Sequence, residues 1–221
     1  MIDQLGVPAF QLILSAEQTL YMVFVSLLVG SILAIILAMI LVLTNDNGIL
    51  KNRPIYLVLN TIINIIRSVP FIILMVFIMP LTKAIVGTRI GTTAALIPLI
   101  VFITPYLTRL FENSILDVNR GIVEAAQAMG ASYFEIVWYF LLPEAKGSLI
   151  LSITTGTIGL IGATAMAGAI GAGGVGDLAL TYGYERMNTP LMLFTVVVLI
   201  VFVQIIQTVG NHFAYKTRNH G

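Results

Sequence analysis

Gly171-Ala172-Gly173-Gly174-Val175-Gly176-Asp177 carry the two patterns in this chain that most invite a chemical reading. As GxGxxG they would cradle a dinucleotide pyrophosphate, provided a strand led into them and a βαβ unit surrounded them. They instead close a long apolar stretch of helical length, so the expected use is a flexible exit from it. As GxGD they would hold one carboxylate of an intramembrane aspartyl protease, a chemistry that needs a second carboxylate to share a proton. Asp3, Asp46 and Asp117 all lie outside the apolar stretches, which leaves Asp177 without that partner. His212 and His220 sit in the tail and make no credible metal pair. There is no cysteine, which excludes disulfides, thiolate metal sites and Cys nucleophiles. No P-loop is present, so any ATP must be hydrolysed by another chain. The expectation is a protein that is not an enzyme and has no catalytic, cofactor-binding or metal-binding residue of its own.

Two side chains keep functional interest. Arg67 is the one Asp, Glu, Lys or Arg inside these apolar stretches, and intramembrane charge is costly enough to suggest function by default. It reads either as an anchor bonded to carbonyls or an acid, or as a contact on a substrate path. Pro70 follows closely, so a bend would bring Arg67 near an interface. Met166 is the only bulky side chain between Ile161 and Ile170, in a run of Gly, Ala and Thr. Small residues let helix backbones approach closely in lipid, and plain packing is one reading of that run. The sharper reading is a pore-lining or dimer-contact helix in which Met166, unbranched and polarisable, is a candidate gate.

The elements that must position these residues are membrane spans. Apolar residues make up 58% of the chain and charged residues 10%, and mean hydropathy is +1.02, so the bilayer is the expected solvent. A net charge of +1 argues against a nucleic-acid surface. The amino terminus lacks the basic region and cleavage site of a signal peptide, so the first apolar span is expected to stay. Stretches 18–45, 90–108, 147–176 and 187–215 contain no Asp, Glu, Lys or Arg, and 54–82 is interrupted only by Arg67. Each reaches the ~20 residues that cross ~30 Å of hydrocarbon. The chain reads as an all-α polytopic membrane protein, one transmembrane domain over 1–221 with five helices near 18–43, 54–82, 90–111, 147–172 and 189–215. Loop 44–53, segment 112–146 and the tail then share a face that, with the adjoining helix end at Arg109, holds seven basic residues, against three on the other side. The positive-inside rule makes the first face cytoplasmic and puts the amino terminus outside.

One polar segment of real length, 112–146, interrupts this pattern. Glu124-Ala125-Ala126-Gln127-Ala128-Met129 is strongly helical, and Gly130 suits the left-handed residue that ends a helix. Ser132 and Glu135 are spaced for a capping box that restarts helix at once. The second helix carries Ile136, Val137, Trp138, Phe140 and Leu141, and Pro143 is expected to stop or kink it before the fourth span. The product is two short helices at the cytoplasmic face with a small, alanine-lined tip.

This segment resembles the EAA loop of ABC importer permeases, whose pattern is EAA, three residues, Gly, nine residues, Ile-x-Leu-Pro. Glu124-Ala125-Ala126, Gly130 and Leu142-Pro143 match it, with Phe140 at the Ile position. Asn64-Ile-Ile-Arg67-Ser-Val-Pro70-Phe-Ile-Ile, Val86-Gly87-Thr88, Glu112-Asn113 and Gly171–Gly176 look like the permeases of methionine importers. The resemblance implies a five-helix subunit of the cell membrane that pairs with a second copy of itself. It implies two ABC ATPase subunits, holding ATP and Mg, docked on a coupling surface of Glu124, Ala125, Ala126, Ala128, Gly130, Leu142 and Pro143. It also implies a lipid-anchored substrate-binding protein outside and an amino-acid substrate, methionine above all, moved by alternating access. A permease for another amino acid shares much of the pattern. A secondary transporter or channel would instead show inverted repeats or several embedded carboxylates, and neither is visible.

Overall fold

The computed structural model describes residues 6–218; Asp3 and His220 lie outside them. The described residues form helices joined by short turns, with no strand among them. They are α1 (Ala9–Thr44), α2 (Arg53–Ser68), α3 (Phe71–Val86), α4 (Thr92–Leu116), α5 (Arg120–Ala128), α6 (Tyr133–Glu135), α7 (Leu142–Ala167), α8 (Gly174–Asp177) and α9 (Thr189–Arg218). Wide π-helical turns occupy Ile136–Leu141 and Leu178–Glu185, while Gly168–Ala172 is a kinked stretch in which Ile170 and Gly171 leave helical geometry.

Four helical stretches are long and apolar enough to cross a membrane: α1, α4, the run Tyr133–Ala172 and Thr189–Thr217 within α9. The stretch read as one helix over 54–82 is two, α2 and α3, bent by 109° at their junction. Proline disfavours helical geometry in the residue before it, and Pro70, with ψ 136°, serves as the N-cap of α3. Counting the bent pair as one span gives five crossings. Of the stop or kink expected at Pro143, the stop does not occur: helix continues from Tyr133 to Ala167, with a distorted π turn directly before the proline. The π turn explains this: the Leu142 N–H reaches back five residues to the Val137 carbonyl, and the widened turn relieves the clash of a proline ring with the turn before it.

Two compact units divide the chain. The first comprises Ser68–Ile103, Thr157–Ile206 and the chain up to Gly30. Within it the glycine-rich run leaves the long helix through a turn held by hydrogen bonds on both sides. Gly171 and Gly173 have φ of 85° and 78°, which breaks the helix there. The breach is stitched by side chains of α1: Gln18 Oε1 accepts from the Gly174 N–H at 2.8 Å, and Thr19 Oγ1 from the Val175 N–H at 2.9 Å. On the other side the Gly91 N–H donates to the Gly171 carbonyl at 2.9 Å and the Thr92 hydroxyl to that of Ala172 at 3.0 Å. Buried backbone groups freed by a helix break must find partners, and these four bonds supply them. Gly168 and Gly176 pack so closely on the backbones of Asp177 and Ala165 that neither position has room for a Cβ.

The second unit comprises Ser31–Arg67, Thr104–Gly156 and the chain from Gln207. Its helices approach through small and hydroxylated residues. Gly210 of α9 lies against Thr154 of α7, and the Ser114 and Ser152 hydroxyls pair at 2.8 Å between α4 and α7. Thr108, Ser114 and Thr154 also bond the carbonyl four residues back, which satisfies their hydroxyls inside apolar helices.

Candidate functional site

The hairpin at 119–146 is built by local capping. Asn119 Oδ1 accepts from the Gly121 N–H at 2.8 Å and starts α5. Gly130, at φ 81°, ends it. The Gly130 N–H donates to Gln127 O and the Ala131 N–H to Ala126 O, each at 3.0 Å, the two bonds of a Schellman cap. Ser132 then restarts helix: its Oγ accepts from the Glu135 N–H at 3.4 Å, and Glu135 Oε2 accepts from the Ser132 N–H at 2.7 Å. The capping box is therefore formed, and the Ser132 side chain and backbone hold the Glu135 carboxyl below its ordinary range.

These caps fix what α5 shows to solvent. Ala126 is fully buried beneath the helix, while Glu124, Ala125, Ala128, Met129 and Gly130 are exposed. Leu142 is half-buried and Pro143 exposed at the far end of the hairpin. Ala126 thus seats the helix, and the rest of the expected surface faces outward. Phe134 and Trp138, both exposed, stack at 6.0 Å between ring centroids on the next helix. Behind α5 lies a cavity of about 620 Å³ lined by Gly48, Tyr56, Glu112, Val123, Glu124 and Gln127 among others.

Beside that cavity is a polar cluster that the sequence reading did not find. Arg109 Nη1 donates to Glu112 Oε2 at 2.5 Å, while Nη2 donates to Asn64 Oδ1 at 3.0 Å and also to Asn60 Oδ1. Glu112 is buried, and the Arg109 side chain is 18% exposed. The spacing of Asn60 and Asn64, one helical turn apart on α2, was the available signal, together with Arg109 and Glu112 one turn apart on α4.

Residues 30–219 match the family described as binding-protein-dependent transport system inner membrane component. The chain belongs to this family. It is 48% identical over 200 residues to the Vibrio cholerae protein named probable D-methionine transport system permease protein MetI, covering 90% of this chain and 89% of that one. To the Bacillus subtilis methionine import system permease protein MetP it is 40% identical over 172 residues, 78% of each chain. Its fold is similar to a chain of the MetNI methionine ABC transporter solved in inward facing conformations, with a TM-score of 0.92, 39% identity, and coverage of 95% and 97%. An amino acid ABC transporter at 18% identity and a TM-score of 0.77 shares the fold.

In this inner membrane component, Met166 is half exposed on α7, on a face it shares with Gly162 and Ala169, while Ala163 and Ala167 behind it are buried. A Cβ at Gly162 would meet nothing, so that glycine keeps open a face the chain does not use itself. Arg67 is exposed in the last turn of α2, immediately before the bend. The structure does not bring Arg67 into the Arg109 cluster.

Proposed function

We propose that this chain is the membrane-spanning permease of an ATP-driven importer for methionine. The observation that carries the reading is the outward-facing α5, capped at both ends and seated by Ala126, at the position of the EAA pattern. Relatives named as methionine permeases over most of their length support the substrate. Two copies pair, and each receives one ATPase subunit on Glu124, Ala125, Ala126, Ala128, Gly130, Leu142 and Pro143. ATP and Mg bind to those subunits, so this chain holds no cofactor and performs no hydrolysis. A lipid-anchored binding protein delivers the amino acid from outside. The amino terminus is external and the hairpin and tail are cytoplasmic, a reading supported by the distribution of basic residues.

ATP closure of the ATPase pair draws the two α5 helices together, and the permease changes from inward to outward access. A ligand shifts such an equilibrium only through different contacts in its two states, which calls for a stiff docking helix. Met166 from the two copies narrows the passage near the pair axis, where a residue meets its own equivalent. Arg67, exposed just before the bend, serves either as an interfacial anchor or as a contact on the substrate path.

The test is reconstitution with the ATPase and binding protein in vesicles containing ATP. Uptake of labelled methionine, abolished when ATP is omitted, supports the reading. ATP-driven uptake of a different amino acid with none of methionine would overturn the substrate, and uptake without any ATPase would overturn the importer.

A further inference from the structure

We propose that Arg109 is a positioning residue that locks α2 to α4 beside the docking helix, so that movement imposed on the hairpin reaches the bent span. The inference rests on the importer reading and names a residue that reading leaves without a role.

The geometry is that of a clamp. Arginine presents a rigid planar fork, and here one nitrogen faces α4 and the other faces α2. Nη1 is held by Glu112, three residues on along α4, at 2.5 Å. Nη2 donates to Asn60 and Asn64, which lie one turn apart and offer their Oδ1 atoms along one face of α2. The guanidinium therefore fixes both the separation of the two helices and the register of α2 against α4. Lysine, with a single point charge, would hold Glu112 but not two amide oxygens together. Glu112 extends the cluster towards the hairpin, since it lines the same cavity as Val123, Glu124 and Gln127 of α5 and Tyr56 of α2. Beyond Asn64, α2 runs only as far as Ser68 before the turn into α3. A rigid contact at Asn60 and Asn64 thus acts on the last two turns before the bend.

The experiment uses the whole transporter with its ATPase, and reads labelled methionine taken up per ATP hydrolysed. Two variants are compared with the wild type: Arg109→Lys, and the double variant Asn60→Ala with Asn64→Ala. The double variant leaves the Arg109–Glu112 pair intact, so no buried charge is orphaned and folding is spared. The expected result is a fall of roughly tenfold in methionine per ATP in both, within the range seen for residues that couple distant sites. Asn60→Asp in place of Asn60→Ala returns an acceptor to Arg109 and should recover part of the ratio. A merely structural role would lower uptake and hydrolysis in step with the amount of assembled complex, and that result, or an unchanged ratio, would overturn the proposal. Failure of the wild type to couple ATP to methionine uptake would count against the importer reading itself.

Discussion

Ser132 and Glu135 close a reciprocal cap, the Ser132 N–H lying 2.7 Å from a carboxylate oxygen of Glu135 while the Glu135 N–H lies 3.4 Å from the Ser132 hydroxyl. The Ser132 hydroxyl also donates to that carboxylate oxygen at 2.7 Å, and this bond, with the one from the N–H, favours the ionised carboxylate and lowers the Glu135 pKa in the folded hairpin. A depressed carboxyl contributes stability that is complete above its unfolded value, ~4.3, and is lost as pH falls through the folded value. The hairpin should therefore be insensitive to pH near neutrality and loosen in the acid range. Ser132→Ala removes the hydroxyl's bond to Glu135 Oε2 and keeps the N–H, so the Glu135 titration, followed by carbon NMR of labelled glutamate, should move part of the way back towards the ordinary range. An unchanged titration would contradict the cap.

Gly130 separates backbone strain from crowding. A Cβ there would meet nothing, so the penalty of any substitution comes from φ 81° alone. Gly130→Val should cost ~1–2 kcal/mol and uncouple hydrolysis from transport. Gly130→Asn, tolerant of the left-handed region, should keep most of both. Wild-type uptake by the valine variant would remove the cap from the coupling account.

The orientation is open to labelling, because the chain has no cysteine of its own. Asn47 is exposed in the loop after α1, and Met187 is 85% exposed before α9. An impermeant thiol reagent added outside intact cells should modify Met187→Cys and spare Asn47→Cys. The reverse pattern would invert the topology.

The small-residue helix makes a split prediction. Gly168 packs against the backbone of Asp177, so Gly168→Val should overpack the chain itself by ~1–3 kcal/mol. Gly162 faces open space, so Gly162→Val should leave the single chain folded and disturb only its pairing, as read by the oligomeric state in detergent. Met166→Ala should raise methionine leak without ATP while assembly persists. Failure of Met166→Cys to cross-link between copies in every nucleotide state would tell against an axial gate.

What the sequence made legible was local. The caps at Gly130, Ser132 and Glu135 depend on near neighbours, and spacing exposes them, whereas Asn119 as the cap of α5 emerges only from the structure. The bend at Pro70 was half legible, since proline signals a boundary but not its angle. Pro143 was likewise half legible, since it marks a distortion of the helix but not that a π turn six residues long would absorb the ring and let the helix continue. The Arg109 cluster was legible only as two separate pairs, each one turn apart on its own helix. Its partners Asn60 and Asn64 lie 49 and 45 residues away, and only tertiary packing brings them together. Arg67 drew attention as the charge within an apolar stretch, whereas the buried ion pair belongs to Arg109 and Glu112 at the end of another.

The central claim is that α5 receives the work of a separate ATPase, and a single disulfide tests it most directly. Ala128 is exposed on α5, and Ala128→Cys can be paired with cysteines placed across the surface of the co-expressed ATPase. The account predicts a cross-linked permease–ATPase product whose yield changes with ATP, and arrest of methionine uptake that reductant reverses. ATP-driven methionine uptake that continues with no such product at any position on the ATPase would contradict it.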